Sequence, residues 1–123
     1  MNRYLLLSNN PLVAENYKNV FFYKRPAFEI LVMARNMVHQ GYPLLSHPLP
    51  ANFKMISSPY KTIVFSNEKK SIDIFHLEVM ENSILKLMRN VGEKGMCHDN
   101  DREYQKLDLW YTTTVLRELE KIC

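Results

Sequence analysis

The chain predicts a small α/β layered fold: a mostly parallel four-stranded sheet flanked by helices, with a C-terminal helix pair. Three observations lead there. Short apolar runs of strand length alternate with longer segments of helical periodicity, the pattern of a parallel sheet with helices packed on it. The first run is continuous rather than alternating, as expected of a strand covered on both faces. A chain of 123 residues, 46% hydrophobic and 24% charged, can bury one core but not two. Residues 1–123 are therefore expected to form a single domain, with the last helix, about 101–122, packed on it or at an interface.

Tyr4 to Leu7 forms the first strand and is closed by Ser8-Asn9-Asn10-Pro11. Pro11 suits the first position of a short helix running towards Lys18, with Asn10 as its cap. Val20-Phe21-Phe22-Tyr23 is the second strand, ended by Lys24-Arg25-Pro26. From Ala27, the apolar positions Ile30, Leu31, Ala34, Met37 and Val38 recur at helical spacing until Gly41 stops the helix. Leu44-Leu45 is a third, very short strand leading into Ser46-His47. A loop from Pro48 to Pro59 precedes a fourth strand, Tyr60 to Ser66.

Ser71 or Asp73 caps the next helix, whose stripe is Leu77, Met80, Ile84, Leu87, Met88 and Val91, ending near Gly92. The last helix begins near Arg102 and shows Tyr104, Leu107, Tyr111, Val115, Leu119 and Ile122 on one side. Thr112-Thr113-Thr114 weakens its middle, because β-branched residues lose rotamer freedom in a helix.

Composition excludes several classes. The formal charge of +3 is spread over scattered basic residues, which argues against a nucleic-acid partner. Two cysteines, Cys97 and Cys123, fit a reducing compartment better than a disulfide scaffold. No stretch approaches the roughly 20 apolar residues that span a bilayer, so a cytoplasmic protein with no membrane partner is expected. With three glycines there is neither a dinucleotide fingerprint nor a phosphate loop, and no cofactor is expected. Cys97-His98-Asp99 lacks a matching second pair of ligands and makes a poor metal site.

In an open α/β sheet, ligands bind beyond the carboxyl ends of the strands. Those ends carry Ser8-Asn9-Asn10, Tyr23-Lys24-Arg25 and Ser46-His47. Together they offer amides, hydroxyls, a fixed positive charge and one imidazole able to move a proton near neutral pH. Asn9, Asn10, Arg25, Ser46, His47, Tyr60 and Lys61 are therefore the candidate binding residues, and a small anion is the fitting ligand. A turn and a helix cap would by themselves account for Asn9 and Asn10. Glu81 falls about 40° from Leu77 at 100° per residue, so it is a carboxylate on an apolar stripe. It would orient His47 for acid–base work if the two met, or lie at the helix edge if the helix is rotated slightly. Lys61 is its other possible partner.

Asn9-Asn10-Pro11-Leu12-Val13, Leu44-Leu45-Ser46-His47-Pro48-Leu49, Ser58-Pro59-Tyr60-Lys61-Thr62-Ile63 and Glu81-Asn82-Ser83-Ile84 resemble, in the same order, the motifs of the GrdX family. These are small proteins encoded with the glycine reductase system. The resemblance covers roughly residues 5 to 90 and leaves the last helix unmatched. It implies a cytoplasmic accessory protein of amino-acid fermentation in anaerobes, with reductase components as partners and no assigned catalytic residues.

Three roles follow from these observations. One is an accessory protein binding an anion or a partner at the rim. The second is a small enzyme with His47 as acid–base and Glu81 beside it. The third is an assembly protein whose last helix forms a homodimer through Leu109, Trp110 and Leu116, residues that a wide core stripe would equally explain.

Overall fold

The apolar run near the start of the chain becomes the central strand, and the other elements are arranged about it. In the computed structural model, which describes residues 3–49, 58–92 and 101–122, β1 is Tyr4–Ser8, β2 is Val20–Phe22 and β3 is Thr62–Ser66. The strand order is β2-β1-β3. β2 is parallel to β1, with Leu7 opposite Phe21. β3 is antiparallel to it, with Ser8 opposite Thr62 and Leu6 opposite Val64. The helices of the described chain are α1 Pro11–Asn16, α2 Ala27–His39, α3 Ile74–Gly92 and α4 Asp101–Ile122.

The sheet is thus three-stranded and mixed, which corrects the mostly parallel four-stranded sheet that the sequence predicts. Parallel neighbours need a long crossover, and α1 lies in the one that joins β1 to β2. Leu44 meets Phe65 only as an isolated antiparallel bridge. Leu45 N–H donates to Val64 O at 2.8 Å and Ser66 N–H to Pro43 O at 2.9 Å. The Val64 N–H, which would extend this ladder, instead donates to the Ser46 hydroxyl at 2.9 Å. Pro43 and Pro48 supply no N–H on either side of the segment, so it stays short of a strand.

The alternation of β1 and β3 divides the core into two layers. Leu7, Ile63 and Phe65 pack with Ile30, Leu31, Ala34 and Val38 of α2 and with Met80, Ile84 and Leu87 of α3. On the other face, Leu6 and Val64 pack with Val13 of α1 and Leu116 of α4. Each fully buried Leu or Ile contributes about 1.5–3 kcal/mol, and this packing covers both faces of β1 and β3. The last two helices therefore serve opposite faces of the sheet, which corrects the expected C-terminal pair.

The line of deepest burial on α4 is Asp108, Thr112 and Leu116, displaced from the apolar stripe read off the sequence because two of its three positions are polar. Leu109 is part of the core packing on that face, while Trp110 is exposed. The threonine run is tolerated because its hydroxyls are used: Thr112 Oγ1 donates to Asp108 O and Thr114 Oγ1 to Trp110 O, each at 2.9 Å. No described helix is long and apolar enough to cross a membrane. Cys97-His98-Asp99, Cys123 and most of the Pro48–Pro59 loop lie outside the described residues.

α2 closes on Gly41 at φ 99°. Gly41 N–H donates to Val38 O at 3.0 Å and Tyr42 N–H to Met37 O at 3.2 Å, the paired bonds of a Schellman cap. A Cβ at this position would run into the Lys70 carbonyl. Gly41→Ala should therefore cost more than ~1 kcal/mol in urea denaturation; an unchanged midpoint would contradict this account of the α2 terminus.

Candidate functional site

Period-two alternation sends Ser8 and its cross-strand partner Thr62 towards α4, where Asp108 meets them. Thr62 Oγ1 donates to Asp108 Oδ2 at 2.6 Å. Its single proton is then spent, so in the 2.8 Å Ser8–Thr62 contact the Ser8 hydroxyl is the donor. Ser8 Oγ in turn accepts the Asn10 N–H at 2.9 Å. The result is a directed chain from the end of β1 to a buried carboxylate, in which each bond polarises the next.

Asn10 completes the cluster. Its Oδ1 accepts the Leu12 N–H at 3.0 Å, capping α1. Its Nδ2 donates to Gln105 O at 2.8 Å and to Asp108 Oδ2 at 3.0 Å. Asn9 is committed in the same way. Its Nδ2 donates to Arg25 O at 2.9 Å and Pro59 O at 2.8 Å, and its Oδ1 accepts the Lys61 N–H at 2.8 Å. One side chain thus ties together the three segments that meet at this end of the sheet.

Lys61 is only 3% exposed and Asp108 only 4%. Burial pushes the Lys61 ammonium down from the usual 10.5 to about 8, with the charge of Asp108 opposing. Burial pushes Asp108 up from the usual carboxylate value; hydrogen bonds from Thr62 and Asn10 and the charge of Lys61 work against it. Tyr111 is also raised, chiefly by burial and then by Asp108.

A pocket of about 550 Å³ opens just outside this cluster. Asn9, Arg25 and Tyr60 line it, as do Lys24, Phe22 and Gln105. Gln105 Nε2 donates to the Tyr60 oxygen at 2.9 Å, which leaves the Tyr60 O–H as a donor. Pro26 and Ala27 bring the start of α2 to the pocket, and no side chain caps that helix. Its amides and Arg25 give the pocket a positive character, tempered by Glu29, 4.0 Å from Arg25.

The predicted site residues thus fall into three groups. Asn9, Arg25 and Tyr60 line one pocket, and Asn10 and Lys61 lie behind it. Ser46 and His47 end a segment that runs in the same direction as β1, but on the far side of β3. Ser46 is used on Val64, and His47 is exposed, with Nδ1 accepting the Leu49 N–H at 3.0 Å. Glu81 is exposed and pairs with Arg35 at 3.4 Å rather than with His47 or Lys61.

Asp108 and Gln105 are the residues that the sequence reading missed. The signal for Asp108 was present: it lies four residues after Tyr104 and three before Tyr111, a carboxylate on an apolar helix side. Among the described residues, no group of three or more His, Cys, Asp or Glu is placed to hold a metal.

Comparison with known families agrees with the motif resemblance. The model of the family described as GrdX-like protein matches residues 5–117, and the chain belongs to that family. The match runs on through most of α4, and so includes Gln105 and Asp108. Searches of curated proteins and of solved structures find no significant match.

The lowered Lys61 pKa means that between pH about 8 and 10.5 the native state binds fewer protons than the unfolded chain. Stability should therefore rise with pH across that window. Asp108, raised above 3.8, has the opposite sign at the acid end: there the native state binds the extra proton, so its contribution falls as pH increases. Urea midpoints measured between pH 8 and 10 should climb in the wild type and lose that slope in Lys61→Met. A slope that survives the substitution would contradict the assignment.

Proposed function

We propose that this member of the GrdX-like family is an accessory protein of glycine reductase metabolism that binds a small carboxylate or phosphate in the rim pocket. One observation carries the reading. The uncapped start of α2, Lys24, Arg25 and Tyr60 all line a single pocket at the carboxyl ends of the parallel strands. Phe22 and the pocket prolines give it an apolar wall, which suits a small organic acid as well as inorganic phosphate. The link to glycine reductase rests on family membership.

The side chains favour binding over acid–base catalysis. A general base must reach its substrate and is often held by a carboxylate. His47 instead spends Nδ1 on the backbone of its own turn, and Glu81 is held by Arg35 on another part of the molecule. The donors of Asn9 and Asn10 are consumed within the fold. Recognition therefore falls to Arg25, Lys24, Tyr60 and the α2 amides.

Thermal-shift measurements with phosphate, acetyl phosphate and glycine test the proposal. At about 100 times Kd, linkage adds about 2.7 kcal/mol, so one of these ligands should raise Tm by several degrees. Arg25→Ala should abolish the rise, since the bond from Asn9 to Arg25 uses the backbone carbonyl and survives. His47→Ala should leave the rise intact. A rise that persists in Arg25→Ala, or that disappears in His47→Ala, would place the anion elsewhere.

A further inference from the structure

We propose that the outer edge of β2 is a docking strand for an extended segment of a partner protein, apolar in its middle and acidic at its flanks. Among the described residues, β2 forms one side of the sheet. Asn19 O accepts the Leu6 N–H, and the Tyr23 N–H donates to Ser8 O, both at 2.9 Å. Alternate residues of a strand turn their backbone groups the same way. Asn19, Phe21 and Tyr23 therefore face β1, and Val20 and Phe22 turn N–H and C=O outward.

The side chains of this edge are equally uncovered. Phe21 is 47% exposed, Phe22 40% and Tyr23 44%, with Phe28 at 42%. Phe21 and Phe22 are consecutive and point to opposite faces, so the helices leave β2 open on both sides of the sheet. An edge strand that shows aromatic side chains on both faces together with unused backbone groups can pair with another chain.

Charge decides the occupant. Lys18 precedes the aromatic run, and Lys24 and Arg25 follow it, all three exposed. Antiparallel pairing of two copies about a two-fold axis would set Lys18 of one copy against Lys24 and Arg25 of the other. Like charges placed opposite each other destabilise such a pair. The flanking cations that discourage self-pairing favour a strand carrying Asp or Glu at each end, and the chain's net charge of +3 adds to that preference. The docking edge shares Phe22, Lys24 and Arg25 with the rim pocket, but Phe21 and Lys18 do not line that pocket and so separate the two.

Selection from a displayed library of random linear heptapeptides tests this, followed by fluorescence-polarisation titration of the enriched sequences against the intact chain. The enriched peptides should carry Asp or Glu on both sides of apolar residues. Methylating their backbone amides should weaken binding at least tenfold. Phe21→Glu should do the same while leaving any anion-induced rise in Tm unchanged. Failure to enrich peptides, enrichment of peptides without acidic flanks, or binding insensitive to amide methylation would overturn the proposal. A dimer in sedimentation that Phe21→Glu dissolves would overturn it in favour of a second copy. Peptide binding weakened in Lys18→Ala, a flanking cation that does not line the rim pocket, with the anion shift retained would leave docking standing independently of the pocket.

Discussion

A buried carboxylate constrains this fold more than any apolar contact. Asp108 lies beneath the end of β1 with Thr62 and Asn10 bonded to one of its oxygens and the buried ammonium of Lys61 as its countercharge. A charge removed from water is tolerated only when it is paired and fully hydrogen-bonded. The position of α4 against the sheet is therefore dictated by where β1 and β3 can present a hydroxyl and an amide together. Hydrophobic packing of Leu116, Val13 and Leu6 holds α4 on the face. The polar cluster determines where along the face it sits.

The antiparallel course of β3 makes this arrangement possible. Had β3 run parallel to β1, its start would lie at the far end of the sheet, and Thr62 could not stand opposite Ser8. Because it runs the other way, Tyr60 and Lys61 arrive beside Asn9 and Asn10, and one end of the sheet collects groups from three separate segments. Asn9 secures the outer layer, Asn10 the inner one. The pocket is thus rigid on the β1 side, while its cations come from the more exposed connection after β2.

Much of this was legible in the residues. Asn10-Pro11 announced a capped helix start, Gly41 a helix end, and the continuous Leu5-Leu6-Leu7 run a strand covered on both faces. Of the residues expected at one rim, Asn9 and Arg25 line a pocket together with Tyr60, whereas Ser46 and His47 lie beyond β3. Strand direction was not legible, because Thr62 to Ser66 reads the same in either orientation, and the Leu44-Leu45 segment gave no sign that Ser46 would intercept the Val64 N–H. The polar face of α4 was hidden for a related reason. Asp108 and Thr112 form its most buried line, whereas helical periodicity finds buried faces by looking for apolar residues. The argument that singled out Glu81 applied equally to Asp108; what separated them was tertiary: Arg35 beside one, Thr62 and Asn10 above the other.

The most direct test of this account is a double-mutant cycle between Asn10 and Asp108, reading unfolding free energy in urea for Asn10→Ala, Asp108→Ala and the pair together. If the amide and carboxylate act as one unit joining β1 to α4, the double variant should lose less stability than the sum of the single ones, with a coupling above ~1 kcal/mol. Losses that add to within ~0.3–0.5 kcal/mol would show that the two residues act independently, and that the carboxylate does not fix the end of the sheet.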